Sequence, residues 1–167
     1  AERKPDLVLA GINHGTNVGV NVFYSGTVAV AIEAVFEGIP SIAFSIDNHS
    51  RKEDISAMLP YVEKMIRVAL ENTMPANCCW NVNAPFNPEG GLKGIKVCSM
   101  SQGSWHDFYE KRINPMGEPY YWIFGDYSDD STSEITDFAA IQNGYVALVP
   151  ISIDVTNYTE RIKLSSL

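Results

Sequence analysis

Short apolar runs bounded by turn residues alternate along this chain with longer stretches whose apolar positions recur every three or four residues. Leu7 to Ala10, Ser41 to Ile46 and Cys78 to Val82 are the short runs. Each has strand length and little polar alternation, as expected where helices cover both faces of a sheet. After the first run, Val28 to Glu37 predicts a helix with Thr27 as its cap, stopped by Gly38-Ile39-Pro40. After the second, a helix is predicted from about Lys52 to Glu71, with Ile55, Met58, Leu59, Val62, Met65, Ile66, Ala69 and Leu70 on one stripe and Asn72-Thr73-Met74-Pro75 ending it. That stripe reads as core, not as a cofactor face. Strand alternating with helix predicts an α/β layer architecture with a mostly parallel sheet and helices on both faces.

From Pro85 onward the pattern changes, dividing the chain into an α/β part over 1–85 and a C-terminal part over 86–167. Gly, Pro and aromatic residues become frequent there. Gly94 to Met100 predicts a strand, Trp105 to Arg112 mixes aromatics with both charge signs, and Asn114 to Pro119 is a turn leading into Tyr120-Tyr121-Trp122-Ile123-Phe124. A protruding hairpin over about 94–124 is the expectation, and an isolated hairpin of this kind needs something to pack against, either a partner subunit or its own sheet. Gly144 to Ile153 predicts a strand, Asp154 to Asn157 a cap-like turn and Tyr158 to Leu164 a short helix.

Composition narrows the function. At 167 residues with 46% hydrophobic, the chain is one domain by length and can bury a core. A net charge of −8 disfavours a nucleic-acid polymer or an anionic membrane as partner. No apolar run is long enough to span a membrane, and the cytoplasm is the default location. Cys78, Cys79 and Cys98 lack a Cys-x-x-Cys spacing and read as core thiols of a reducing compartment.

The chemistry concentrates between residues 11 and 27, where Gly11, Gly15, Gly19 and Gly26 are interleaved with Asn13, Asn17 and Asn21 and close on Ser25-Gly26-Thr27. Strand, Gly-rich loop and helix N-terminus form a phosphate-binding order, because glycines let backbone N–H groups approach an anion and the first helical turn has unpaired donors. The loop has no Lys or Arg. Its charge balance therefore points to a divalent cation held by oxygen ligands. Ser25, Gly26 and Thr27 can hold phosphoryl oxygens or cap the helix, and the two roles are compatible. Asn13 can offer an amide oxygen to a hard cation or bond its own turn, and Asn17 can likewise bond its own turn. His14 is a candidate general acid by residue type but reads better as a neighbour of the site than as its acid. His49 and His106 read as surface residues, and Asp137 as a cap or brace for the loop region. No Gly-x-Ser-x-Gly elbow is present, so a serine hydrolase is disfavoured.

The run from Pro5 to Gly19, followed by Tyr24-Ser25-Gly26-Thr27-Val28, resembles the signature of the SurE-type (survival protein E) nucleotidases. The likeness continues through Glu33, Gly38 to Ala43, Asn81 to Pro85, Thr136 to Ala140 and Gly144 to Val146, in the same order. It implies a three-layer Rossmann-like fold and metal-dependent hydrolysis of nucleoside 5′- and 3′-monophosphates, with short-chain polyphosphate as a further substrate. It also implies one Mg or Mn per subunit with Asn13 as a ligand, and phosphate or substrate contacts from Asn17, Ser25, Gly26 and Thr27. His14 and Asn21 fall beside those positions, Asn21 standing where many relatives carry an acid. The hairpin and the tail are implied to assemble a homodimer or homotetramer. The family's N-terminal strand with its Asp-Asp-Gly metal ligands has no counterpart in the sequence, so the chain reads as a C-terminal part and the catalytic residues stay unassigned. Asp129-Asp130 is the one Asp-Asp pair and reads as a solvated loop. A non-catalytic nucleotide- or phosphate-binding module, or an oligomerising fragment, is the alternative.

Overall fold

A computed structural model describes residues 3–50, 52, 54–72, 74–129 and 135–167. Its main sheet has five strands in the order β1-β2-β3-β7-β4: β1 is Val8–His14, β2 Ser41–Ile46, β3 Cys78–Ala84, β4 Ile95–Val97 and β7 Val146–Ser152. β1, β2 and β3 run parallel, because each crossover carries a helix, α1 (Gly26–Phe36) and α2 (Leu59–Glu71), which returns the chain to the starting edge. β7 enters antiparallel to β3, and β4 pairs parallel to β7. The fold is the α/β arrangement the alternation predicts.

Two apolar layers result from the alternation of side chains along the strands. Ile42, Phe44, Ile46, Val82, Ala84, Val146 and Leu148 pack under α2 through Met65 and Ala69. On the opposite face Ala43 and Cys79 pack under α1, and Ala147 and Val149 under α3 (Asp137–Gln142). All three cysteines are buried and free. Burial pushes the Cys79 thiol up to about 11, with the neighbouring Cys78 adding to the shift.

Several boundaries differ from expectation for local reasons. β1 continues past Ala10 to His14, because the ladder with β2 slips between Ala10 and Asn13 and Gly11 absorbs the irregularity. Gly11 has φ +114°, and a Cβ there would run into the carbonyl oxygen of Phe44. α1 starts at Gly26 with Ser25, not Thr27, as its cap: Ser25 Oγ accepts from the Val28 amide at 3.1 Å. α2 begins at Leu59 rather than Lys52, preceded by a short 3-10 turn over Ser56–Met58 and with Pro60 in its first turn. Residues 51, 53 and 73, which fall within or beside that expected helix and its stop, lie outside the described residues.

The hairpin is β5 (Ser104–Ile113) with β6 (Pro119–Ser128), paired from Ser104↔Ser128 to Ile113↔Pro119. The run from Gly94 to Met100 is not its first arm, since Ile95, Lys96 and Val97 pair with β7 in the main sheet. Asn114 Oδ1 holds the tip by accepting from Met116 and Glu118 amides. Every β5 residue, and β6 through Phe124, is exposed, so the hairpin projects instead of folding back on the sheet. Its base is anchored by Trp105 and Tyr127. Asp130 of the Asp-Asp pair lies outside the described residues. The tail helix α4 (Tyr158–Leu164) is capped by Asn157 and exposed throughout. Among the described residues no helix is long and apolar enough to cross a membrane.

Candidate active site

The loop leaves β1 at His14 and reaches α1 at Ser25 on the sheet face that α1 and α3 share. Open α/β sheets place ligands in this position, outside the carboxyl ends of their strands. What fixes the loop here is a set of buried amides. Asn81 and Asn83, both fully buried, project from alternate positions of β3. Asn83 Oδ1 accepts the Asn17 backbone N–H at 2.8 Å, and Asn81 Nδ2 donates to the Asn17 carbonyl at 2.8 Å. The Asn17 side chain donates in turn to Ser45 Oγ at 2.7 Å. Both ends of one peptide residue are thus clamped to the sheet, and its side chain is pinned to β2. Each clamping amide leaves its other end, Asn81 Oδ1 or Asn83 Nδ2, buried without a partner among the described residues. Such groups cost stability and concentrate at functional sites.

A second brace stands two residues on. Asp137, fully buried at the start of α3, accepts from the Gly19 amide at 3.0 Å, the Ser101 amide at 2.9 Å and the Phe138 amide at 2.8 Å. Thr136, not Asp137, caps α3. Gly19 has φ +52°, and a Cβ there would collide with the Tyr127 hydroxyl and Ser101 Oγ. From Gly19 the chain makes a 3-10 turn to Tyr24 and enters α1. Ser25 Oγ occupies the Val28 amide, and the amides of Gly26 and Thr27 have no backbone partner among the described residues. Gly26 itself is open, with nothing within 4 Å of an added Cβ.

The remaining positions divide by what they touch. Asn13 is half-buried and donates through Nδ2 to the Gly15 carbonyl at 2.8 Å and to the His14 carbonyl at 3.3 Å. Its Oδ1 has no hydrogen bond among the described residues. His14 Nδ1 is buried and unpartnered among them. Asn21 faces the hairpin, its Oδ1 accepting from the Trp105 indole N–H at 2.6 Å. His49 closes on the loop, its ring 3.0 Å from where a Gly15 Cβ would sit. His106 stands apart on the exposed hairpin, bonded to Ser128.

A cavity of about 220 Å³ lies beside the loop, walled by Trp105, Tyr127 and Phe138. A larger apolar groove of about 660 Å³ between α1 and the end of β7 meets the loop at Val22, Phe23 and Ser25. Its lining has no carboxylate, imidazole, amine or amide side chain, and its polar groups are the Cys98 thiol and the hydroxyls of Ser25, Ser99 and Ser152. For a divalent cation the fit is partial. Asn13 Oδ1 is an uncommitted oxygen suited to a hard cation, but no group of three or more His, Cys, Asp or Glu that could hold a metal occurs among the described residues. Asn81, Asn83, Ser45 and Trp105 were not singled out as site residues by sequence. The signal available was the polar alternation in Asn81-Val82-Asn83, unusual inside a largely buried strand.

Comparison with known proteins gives a consistent likeness. The family model described as Survival protein SurE matches residues 1–107. A protein named 5′-nucleotidase SurE from Flavobacterium psychrophilum is 41% identical over 93% of this chain and 60% of its own length. One of the same name from Bacteroides thetaiotaomicron is 42% identical over 94% of this chain and 60% of its own. The chain thus spans about three fifths of the relatives it matches. The crystal structure of the SurE protein from Aquifex aeolicus superposes with a TM-score of 0.79 at 37% identity, covering 99% of this chain and 67% of that one.

Proposed function

We propose, proceeding from the fact that this chain belongs to the survival protein SurE family, that the stretch from Asn13 to Thr27 receives the phosphoryl group of a nucleoside monophosphate. The whole protein then hydrolyses the ester to nucleoside and phosphate, the activity for which the relatives are named. Nucleoside 5′- and 3′-monophosphates, and short-chain polyphosphate, are the substrates in this account. The observation that carries it is the clamped Asn17 peptide, held by Asn81 and Asn83 at 2.8 Å each. A loop fixed before the ligand arrives presents its donors without reorganisation, which is where catalysis of phosphoryl transfer by positioning gains most.

The residues take the following parts. The amides of Gly26 and Thr27, unpartnered among the described residues and at the positive end of α1, face phosphoryl oxygens, while the Thr27 hydroxyl and the second Nδ2 hydrogen of Asn17 add donors. Ser25 holds the helix start open for them by occupying the Val28 amide. Water adds to phosphorus as the ester P–O bond breaks, and the departing nucleoside oxygen takes up a proton. A divalent cation, Mg or Mn, one per subunit, supplies when bound the positive charge that a loop without Lys or Arg lacks, and Asn13 Oδ1 is this chain's ligand to it. The His14 backbone carbonyl helps to hold Asn13 by accepting from its Nδ2 at 3.3 Å.

The exposed aromatic arms of the hairpin and the exposed tail join subunits into a homodimer or homotetramer, and three free buried thiols fit a cytoplasmic setting. A second reading, a phosphate-binding module without catalysis, is favoured by one observation: the missing cluster of acidic ligands among the described residues. Phosphate release from nucleoside monophosphates by the whole protein, with Mg, Mn or a chelator, separates the two. Cation-dependent release supports hydrolysis; binding of the nucleotide with no release under any cation supports the module.

A further inference from the structure

The cavity beside the loop has a composition that the phosphoryl end of a nucleotide does not explain. It lies at the carboxyl ends of β1 and β2, where Thr16 follows one strand and Asp47 and His49 follow the other. Its lining includes the carboxylate of Asp47 and no Lys or Arg. A phosphate would be repelled there, whereas a neutral ring would not. Three aromatic side chains wall it in a chain of edge-to-face contacts, Trp105 to Tyr127 at 5.9 Å between ring centres and Tyr127 to Phe138 at 5.2 Å. Two of these rings are held by their polar atoms. Trp105 donates to Asn21 and Tyr127 shares a hydrogen bond of 3.0 Å with Ser101. Gly19, which admits no Cβ beside Tyr127 and Ser101, keeps that wall against the loop.

Such a chamber suits a flat heteroaromatic ring with hydrogen-bonding edges. Its apolar faces can cover the ring, and Thr16, Asp47 and Gln142 offer both donors and acceptors at the rim. The volume, about 220 Å³, is that of a small subsite and not of a whole nucleotide. Thr16, Val18 and Asn21 of its lining belong to the same loop as the clamped Asn17, so the chamber borders the stretch that holds the candidate phosphoryl donors.

We propose that the cavity between the Thr16–Asn21 loop and the Trp105–Tyr127 hairpin base is the subsite for the nucleobase, with Trp105 as its principal contact. This rests on the nucleotidase reading for the phosphoryl end only, since the base contact itself requires no hydrolysis. The hairpin root then has a specificity role separate from any assembly role of its exposed arms.

The test uses adenosine, which lacks the phosphate. Its binding to the protein is followed by calorimetry for the wild type, Trp105→Ala and Trp105→Phe. Trp105 is 46% exposed, so neither variant opens the core. Saturable binding weakened about tenfold in W105A, and within about threefold of wild type in W105F, is expected from loss and retention of a stacking face. No adenosine binding up to millimolar concentration, or W105A equal to wild type, overturns the proposal. In the hydrolysis arm, the ratio of kcat/KM for AMP to that for ribose 5-phosphate falls about tenfold in W105A; a ratio that stays constant also overturns it. Wild-type protein that binds adenosine through Trp105 but releases no phosphate contradicts the nucleotidase reading and leaves the base subsite standing.

Discussion

Asn83 is the residue on which the loop's position depends most directly. Asn83→Ala removes the acceptor of the Asn17 amide and leaves that N–H buried. An unpaired buried donor costs about 1–3 kcal/mol, so denaturant unfolding should show a loss of that size. An Asn83→Ala variant as stable as the wild type contradicts the clamp. Asn13, Asn17 and Ser25 were legible because small polar residues among glycines have few structural uses beyond turns and ligands. Asn81 and Asn83 were not, because their work is to hold another residue's backbone some 60 positions away, at a sequence separation of 64 and 66. Asp137 was expected as a cap or brace. It is a brace, since its carboxylate reaches across to Gly19 and Ser101 while Thr136 takes the cap.

At the scale of elements, strand and helix order followed from periodicity, and the errors fell where a local device intervenes. The extension of β1 depends on the irregular ladder at Gly11, and the start of α2 on a 3-10 turn that no periodicity distinguishes from helix. The hairpin was placed too early because aromatic residues occupy both of its faces, which removes the alternation that would mark its strands. Ser25→Ala, by removing the α1 cap, should cost about 1 kcal/mol in thermal unfolding. The turn before α4 has a pH signature. Asp154 is held down to about 2, first by its side-chain bond to Thr156 and then by Tyr158, whose phenol is raised in return. A depressed carboxyl stabilises above its unfolded value of 3.8 and loses that contribution as pH falls through about 2. The raised phenol contributes below its unfolded value of 10.0 and loses its contribution as pH rises through its folded one. Amide protection factors in α4, corrected for intrinsic exchange, should therefore be highest between those limits and fall at both extremes, and protection that is flat across that range contradicts the pairing.

For the whole molecule, the sheet supplies a rigid floor, α1 and α3 leave a gap over it, and the loop lies in that gap between two braces. Like the exposed tail helix α4, the projecting hairpin has arms whose burial the fold does not supply, with Phe108, Tyr109, Tyr121, Trp122, Ile123 and Phe124 all more than half exposed. Shortening its tip while keeping Trp105 and Tyr127 should lower the molar mass seen by light scattering without moving the thermal midpoint, and an unchanged mass contradicts its assembly role. The central claim is that the stretch from Asn13 to Thr27 is a preformed phosphoryl cradle. Backbone amide chemical shifts of this chain during titration with AMP test it most directly. The account predicts the largest shifts at Gly26, Thr27 and the amides from Gly15 to Gly19, and their loss in Asn83→Ala; shifts scattered over surface lysines, with the loop unmoved, would contradict it.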